Sequence, residues 1–208
     1  MRLTKFTHAC VRLEKDGRKL LIDPGIWAED EAFQDDTDIL VTHEHFDHID
    51  VDRITALAAL AANITVHAPA PVAALLAVMA GHVRTVEVGD SFTAAGFRVA
   101  VVGGRHADIY DGLPGCANVG YLVDGLYHPG DSLFVPDHRV ETLLVPTCAP
   151  WLKLAEAIDF VRTVTPRRAY SIHDAMLSSR GEVIIDRWLD LKGETAYARI
   201  PIGETVKV

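Results

Sequence analysis

Three imidazoles and the Asp47 carboxylate fall between His43 and His48 of the segment THEHFDH (Thr42–His48), directly after the apolar run from Asp38 to Val41. Residues two apart on an extended chain point the same way, so His43 and His45 can converge on one ion. Asp47 and His48 lie across the turn and can reach a second. Imidazole and carboxylate are the donors that divalent transition metals accept. Without a cation, so many titratable groups packed together must shift their pKa values or repel one another. One loop can therefore serve two metals.

Further polar residues recur where strands are expected to end. His106 follows the run Phe97–Gly103 and the Gly103-Gly104 kink, and is a candidate third ligand for the ion of His43 and His45. Asp131, in YHPGDS, can bridge two cations, with Gly130 giving the backbone room to turn. His173 closes the run Arg168–Ile172 and can complete a shell with Asp47 and His48. Each of these alone is unremarkable, since Asp at a turn and His at a strand end are common.

The elements that must position these groups can be read from periodicity. Leu3–Phe6, Cys10–Glu14 and Lys19–Ile22 read as strands, with a hairpin turn at Lys15-Asp16-Gly17 and an end at Asp23-Pro24-Gly25. Ile49–Ala62 reads as a helix with Asp50 as N-cap. Ile64–His67 then reads as a strand and Pro71–Ala80 as an Ala-rich helix. Arg84–Val88, Ser91–Thr93 and Phe97–Gly103 form the next strands. Asn118–Val123 and Leu126–His128 flank Asp124-Gly125 as a second hairpin. Leu143–Val145 is a strand, Leu152–Val164 a helix and Arg168–Ile172 a strand. The pattern is mixed α and β in layers, with two sets of strands each followed by helices.

Bulk properties narrow the function classes. At 208 residues, with 49% hydrophobic and 24% charged residues, the chain is expected to form one globular domain, 1–208. A formal net charge of −9 disfavours an extended nucleic-acid surface. No apolar stretch approaches the ~20 residues needed to span a membrane, and no signal peptide is legible. Cys10, Cys116 and Cys148 form no C-x-x-C pair and suit a reducing compartment, so a cytoplasmic protein is expected. The expected partner is a small molecule. Self-association is left open.

THEHFDH, His106, Gly130-Asp131 and His173 occur in the order and spacing of the metallo-β-lactamase superfamily, which the chain resembles. FTHACVRLE, LLIDPG, YHPGD, WLKLAEAIDF and SIHD are similar to the branch of metal-dependent hydrolases that includes the L-ascorbate-6-phosphate lactonase. The resemblance implies an α+β, four-layer αββα sandwich. It implies one ion on His43, His45 and His106, a second on Asp47, His48 and His173, and Asp131 shared. Zinc is the first expectation, and manganese or iron accepts the same ligands. The reaction implied is hydrolysis of an ester, lactone or phosphodiester in a small substrate, anionic ones included, by a hydroxide bridging the metals. Asp47 and Asp131 are the residues expected to act in catalysis, and Asp47 would orient the water or take its proton.

Around that set, Asp23 matches a family position that hydrogen-bonds ligand histidines, although an Asp before Pro24 is also an ordinary turn residue. His8 resembles a position near the pocket, where it would contact substrate or serve as a structural histidine. His128, Tyr110, Trp151 and Lys153 are further pocket candidates, with Lys153 able to pair with an anionic group. Two rival readings stand beside the hydrolase. One is a compact nucleotide or nucleic-acid phosphodiesterase. The other is a redox di-iron protein, whose relatives carry Glu where this chain has His45 and bring an electron-carrying domain.

Overall fold

A computed structural model of the chain describes residues 1–34, 37–61, 63–111, 113 and 115–208. The first run of elements is β1 (Arg2–Lys5), β2 (Val11–Lys15), β3 (Arg18–Ile22), β4 (Thr37–Leu40), α1 (Val51–Leu60), β5 (Val66–Ala68), α2 (Ala70–Leu75) and β6 (Val83–Thr85). The second is β7 (Ser91–Ala94), β8 (Phe97–Gly103), β9 (Val119–Val123), β10 (Leu126–His128), β11 (Thr142–Pro146), α3 (Leu154–Val164), β12 (Arg168–Ile172), α4 (Ser179–Lys192), β13 (Ala196–Ala198) and β14 (Thr205–Lys207). Among the described residues these strands make two seven-stranded sheets, ordered β14-β1-β2-β3-β4-β5-β6 and β13-β12-β11-β10-β9-β8-β7.

Alternation along the strands sets the layers. Leu20, Ile22 and Leu40 of the first sheet meet Phe97, Val99, Val101, Tyr121 and Leu144 of the second in a common core. Their neighbours of opposite parity, Leu21 and Ile39, face outward onto Ile54, Leu57 and Ala58 of α1 and Val72 of α2. On the far side Leu143 and Val145 pack on Ala157, Phe160 and Val161 of α3 and Leu189 of α4. The result is the expected αββα sandwich. Burying a Leu or Ile completely contributes about 1.5–3 kcal/mol, so these three apolar layers, rather than the polar rim, hold the fold.

Local signals behave as their chemistry requires. Asp16-Gly17 and Asp124-Gly125 both have positive φ, as two-residue hairpin turns demand. The Asp50 side chain accepts from Arg53 N–H at 3.0 Å and caps α1, which ends at Leu60. The expected end at Ala62 lies outside the described residues. The single helix expected over Pro71–Ala80 is instead α2 followed by a 3-10 turn, Ala77–His82, with Met79 off helical geometry. A ten-residue helix runs about 15 Å, more than the ~10 Å of the three-residue strands β5 and β6 that it must lead back along. Beyond His173 the chain adds α4, β13 and β14. α4 was not anticipated because Val183, Ile184, Trp188 and Leu191 are exposed, which blurs its apolar stripe. β13 and β14 are three-residue edge strands, too short for alternation to register. No helix among the described residues is long and apolar enough to cross a membrane.

One polar contact ties the two sheets directly beneath the rim. The fully buried Tyr121 of β9 donates its hydroxyl across the sandwich to Val41 O at 2.9 Å and His67 O at 3.1 Å. Tyr121→Phe removes that donor from buried carbonyls and is expected to cost about 1–2 kcal/mol, read from the midpoint of urea unfolding at unchanged slope.

Candidate metal centre

Pairing directions bring the chemistry to one edge. β1 and β3 both run antiparallel to β2, and β3 is parallel to β4. In the other sheet β8 and β10 flank β9 antiparallel, while β10, β11 and β12 are mutually parallel. His8, Asp23, the 42–48 loop, His106, Asp131, Trp151 and His173 all follow the carboxyl ends of these co-directional strands. Residues far apart in sequence therefore meet at a single rim, the usual place for sites on sheets with parallel strands.

Two groups of donors assemble there. His43, His45, His106 and Asp131 form one, and His8, Asp47, His48 and His173 the other. Within each, one donor atom per residue lies within 4.8 Å of the rest. Asp131 reaches both, because its Oδ2 is 3.1 Å from His106 Nε2 and its Oδ1 is 3.0 Å from His48 Nε2 and 3.1 Å from His173 Nε2. His43 Nε2, His48 Nε2 and Asp131 Oδ1 are buried without a hydrogen-bond partner, and the 3.0 Å His48–Asp131 contact lacks hydrogen-bond alignment. Buried orphans of this kind cost free energy unless something outside the protein satisfies them. Three of them facing one space suit a cation.

The outward sides of the rings show where the protons sit. His48 Nδ1 donates to Asp23 Oδ2 (2.7 Å), His106 Nδ1 to Ala107 O (2.5 Å) and His173 Nδ1 to Cys148 O (2.6 Å). Thr42 Oγ1 gives its own proton to Asp23 Oδ2 (2.7 Å) and so accepts from His43 Nδ1 (3.0 Å). In its neutral form each of the four rings would carry its hydrogen on Nδ1 and turn Nε2 inward, the tautomer that a metal ligand needs. Electrostatics reflect the crowding. Burial, then the neighbouring His48, presses His43 well below the usual imidazole range. Burial opposes charge on His48 too, but Asp131 and Asp23 outweigh it and raise the ring well above that range. Asp131, despite the penalty of burial, is held well below the ordinary carboxylate range by His48, His106 and His173.

The remaining sequence candidates divide. Asp23 is fully buried, accepts from Thr42 N–H (2.7 Å) as well as from Thr42 Oγ1 and His48, and lies behind the cluster. Trp151 Nε1 donates to Asp131 Oδ2 at 3.1 Å. His8, 1% exposed, sits inside the donor cluster and also lines a cavity of about 450 Å³ together with Thr7, Ala175 and Arg199. His128 corrects the pocket expectation: alternation in β10 turns it inward, where Nε2 donates to Ala9 O (2.9 Å) and Nδ1 accepts from Gly130 N–H (3.2 Å). Lys153 is also displaced from the pocket, because it caps α3, is 84% exposed and lies 3.8 Å from Glu156. Tyr110 is 74% exposed, and Ile109 and Leu113 beside it face a cavity of about 450 Å³ instead. Missed by sequence reasoning were Thr42, inside the loop motif; Cys116, whose Sγ is 3.8 Å from His45 Nε2; and Asn118, which accepts from Asp131 N–H at 3.0 Å. Only Thr42 had a motif to mark it.

A four-layer sandwich with an imidazole and carboxylate cluster at the shared rim is the metallo-β-lactamase architecture. Residues 2–173 match the family described as beta-lactamase superfamily domain, and the chain belongs to it. It is similar to Protein Rv0786c of Mycobacterium tuberculosis, at 40% identity over 185 residues and 86% of each chain. It is also similar to a UPF0173 metal-dependent hydrolase of Aeropyrum pernix, at 29% identity over 67% of this chain and 64% of that one. Among solved structures, Igni18, a metallo hydrolase from Ignicoccus hospitalis, superposes with a TM-score of 0.76 at 19% identity, covering 99% of this chain and 97% of its own.

Two substitutions test how the site is held. Asp23→Asn cannot accept from Thr42 N–H, Thr42 Oγ1 and His48 Nδ1 together, and is expected to weaken metal binding about 10–100-fold in a chelator competition. Gly25 carries no side chain because a Cβ there would meet Asp47 O at 2.0 Å and His48 N at 2.8 Å. Gly25→Ala must push the metal loop away, with an expected loss of about 1–3 kcal/mol in thermal unfolding and reduced metal content by elemental analysis.

Proposed function

We propose that this chain is a binuclear metal-dependent hydrolase of esters or lactones whose substituents are uncharged and apolar. The single observation that carries the hydrolytic reading is the pair of adjoining four-donor groups, with Asp131 of one 3.0–3.1 Å from His48 and His173 of the other and with His43 Nε2, His48 Nε2 and Asp131 Oδ1 unpartnered and aimed into one space. His43, His45 and His106 would hold one divalent ion, Asp47, His48 and His173 the other, and Asp131 would contact both. Bound there, two such ions supply a water acidified to a pKa of about 7 and polarise the substrate oxygen. Imidazole and carboxylate donors without thiolate favour zinc, and manganese or iron fits the same set. The description of the Aeropyrum pernix relative as a metal-dependent hydrolase agrees with this reading.

The chain's own residues supply order around that chemistry. Trp151 N–H and Asn118 hold Asp131 in place. Asp47 is partly exposed, at 15%, and its Oδ1 is uncommitted among the described residues, so it can orient water or receive its proton.

Substrate preference follows from the surroundings. The cavity beside His45 and His106 is walled by Pro71, Ile109 and Leu113, with Glu44 and Asp108 as its acidic groups, Asp108 being paired with Arg105 at 2.6 Å. On the opposite flank Trp27 packs edge-on to both His8 (4.9 Å) and Phe46 (5.6 Å), and Ile26, Trp27 and Phe46 are 48%, 37% and 58% exposed. Apolar walls beside the Glu44 carboxylate disfavour a second anionic group on the substrate. With Lys153 turned to solvent beside Glu156, the basic contact expected for an anionic ligand has no support.

The test combines elemental analysis with a substrate panel. Two equivalents of metal are expected, and Asp131→Asn should lower both occupancy and kcat/KM by about 100-fold or more, the upper end of what loss of a ligand's supporting partner alone costs. Neutral lactones and esters should exceed matched carboxylated analogues and phosphodiesters by at least about tenfold in kcat/KM, roughly one ion's worth of unfavourable contact. A response to phosphodiesters alone overturns the acyl reading, and iron content with oxygen consumption overturns hydrolysis.

A further inference from the structure

The second donor group contains a residue that the resemblance does not supply as a ligand. His8 lies with Nε2 3.1 Å from Asp47 Oδ2, and its ring centroid is 3.8 Å from that of His173. Its proton arrangement is the reverse of the other rings. Ala175 N–H donates to His8 Nδ1 at 3.3 Å, so in the neutral ring Nδ1 is the acceptor and the hydrogen resides on Nε2. As neutral rings, His43, His48, His106 and His173 turn the bare Nε2 toward the cluster, whereas a neutral His8 turns an N–H toward it.

We propose that His8 is a positioning residue: it donates Nε2–H to Asp47 Oδ2 and so fixes the carboxylate that completes the second metal position, without itself binding the ion. This rests on the binuclear reading above. Among the described residues, the bond from His8 is the one hydrogen bond that the Asp47 carboxylate makes. Asp47 stands at the tip of a turn, free to rotate if that bond is removed. With Oδ2 engaged, Oδ1 is left for an ion or for water.

The placement of His8 is itself built. Its backbone is in the left-handed region at φ 67°, a conformation that a non-glycine residue adopts at a cost of about 1–3 kcal/mol unless its surroundings enforce it. Here they do. His8 O accepts from the buried Lys5 Nζ at 2.7 Å and from His173 N–H at 3.1 Å. The ring packs at right angles to Trp27, and only 1% of the residue is exposed, so its orientation is fixed.

The apoprotein and its variants are titrated with Zn²⁺ against a chromophoric chelator, and the Co²⁺-loaded forms are compared by visible absorption. Wild type is expected to take two equivalents. His8→Gln, whose amide N–H reaches the place of Nε2–H, should keep both equivalents, the second within about threefold of wild type, with an unchanged Co²⁺ spectrum. His8→Ala should weaken the second equivalent about 10–100-fold and leave the first unchanged, which also reports that the variant is folded. Asp47→Asn, which alters the ligand itself, should weaken the second equivalent at least as much, and adding His8→Ala to it should change little further. His8→Gln losing the second ion with an altered Co²⁺ spectrum would make His8 a ligand and overturn the proposal. His8→Ala with wild-type affinity at both positions would overturn it by showing the bond idle. Wild type that takes up fewer than two equivalents sinks the binuclear reading as well, and does so before any variant is measured.

Discussion

A carboxylate that stays charged at 3% exposure must be surrounded by groups that compensate it, and the rim of this sandwich is arranged around that requirement at Asp131. The imidazoles of His106, His48 and His173 reach it from both sheets at 3.0–3.1 Å, and the Trp151 indole adds a fourth contact. The backbone yields to the same demand. Gly130, at φ 61°, has no Cβ because one would meet Asn118 Oδ1 at 2.3 Å and Thr42 Cβ at 2.7 Å. Asn118 in turn donates to Pro129 O (2.9 Å) while accepting from Asp131 N–H, so the turn after β10 is pinned to the start of β9. His128 contributes from behind by spanning Ala9 O and Gly130 N–H.

The acceptors behind the inward-facing rings are not equivalent, and that difference reaches the cluster. Backbone carbonyls back His106 and His173, a hydroxyl backs His43, and a carboxylate backs His48. A carboxylate partner raises the basicity of the ring more than a carbonyl or hydroxyl does. His48 is thus the strongest imidazole donor of the four, and it occupies the position nearest Asp23 and Asp131 together. Asp23 and His173, like His8, have left-handed backbones at φ 50° and 55°. Three strained residues at one rim are what a site fixed by its surroundings produces, since each persists only where neighbouring contacts over-determine it.

Much of this was legible in the sequence because its signals are local. The THEHFDH loop, the Asp-Gly hairpins and the Asp50 cap depend on neighbours within a few residues, and each took the form its chemistry requires. Periodicity led only to mixed α and β in layers and the αββα order came with the family resemblance; in the structure, parity along β3, β8 and β9 separates the inner core from the helix faces. What escaped was set by distant partners. The direction of His128 depends on Ala9, more than a hundred residues away, and Lys153 was assigned to the pocket by proximity to Trp151 although the helix cap takes it outward. His8 could be flagged by its motif but not assigned, because its role turns on a proton placed by Ala175 from the other end of the chain.

That long-range dependence extends beyond the segment matching the family. The match ends at His173, yet the loop on which His173 sits is anchored by residues beyond it. Arg199, before β14, pairs with Asp174 and at 2.8–2.9 Å with Asp186 of α4. Asp174 is also 3.3 Å from the buried Lys5 Nζ, which holds the carbonyls of Phe6 and His8. Burial pulls the Lys5 ammonium below its usual range, and Asp174 is the main opposing influence. Replacing such a buried pair by apolar residues can leave stability unchanged, whereas removing one partner strands a charge. The pair is better understood as a device of geometry than of stability. It joins the loop carrying His8 to the loop carrying His173, and Arg199 fastens both to α4, so the final thirty or so residues belong to the construction of the site even though none of them enters it.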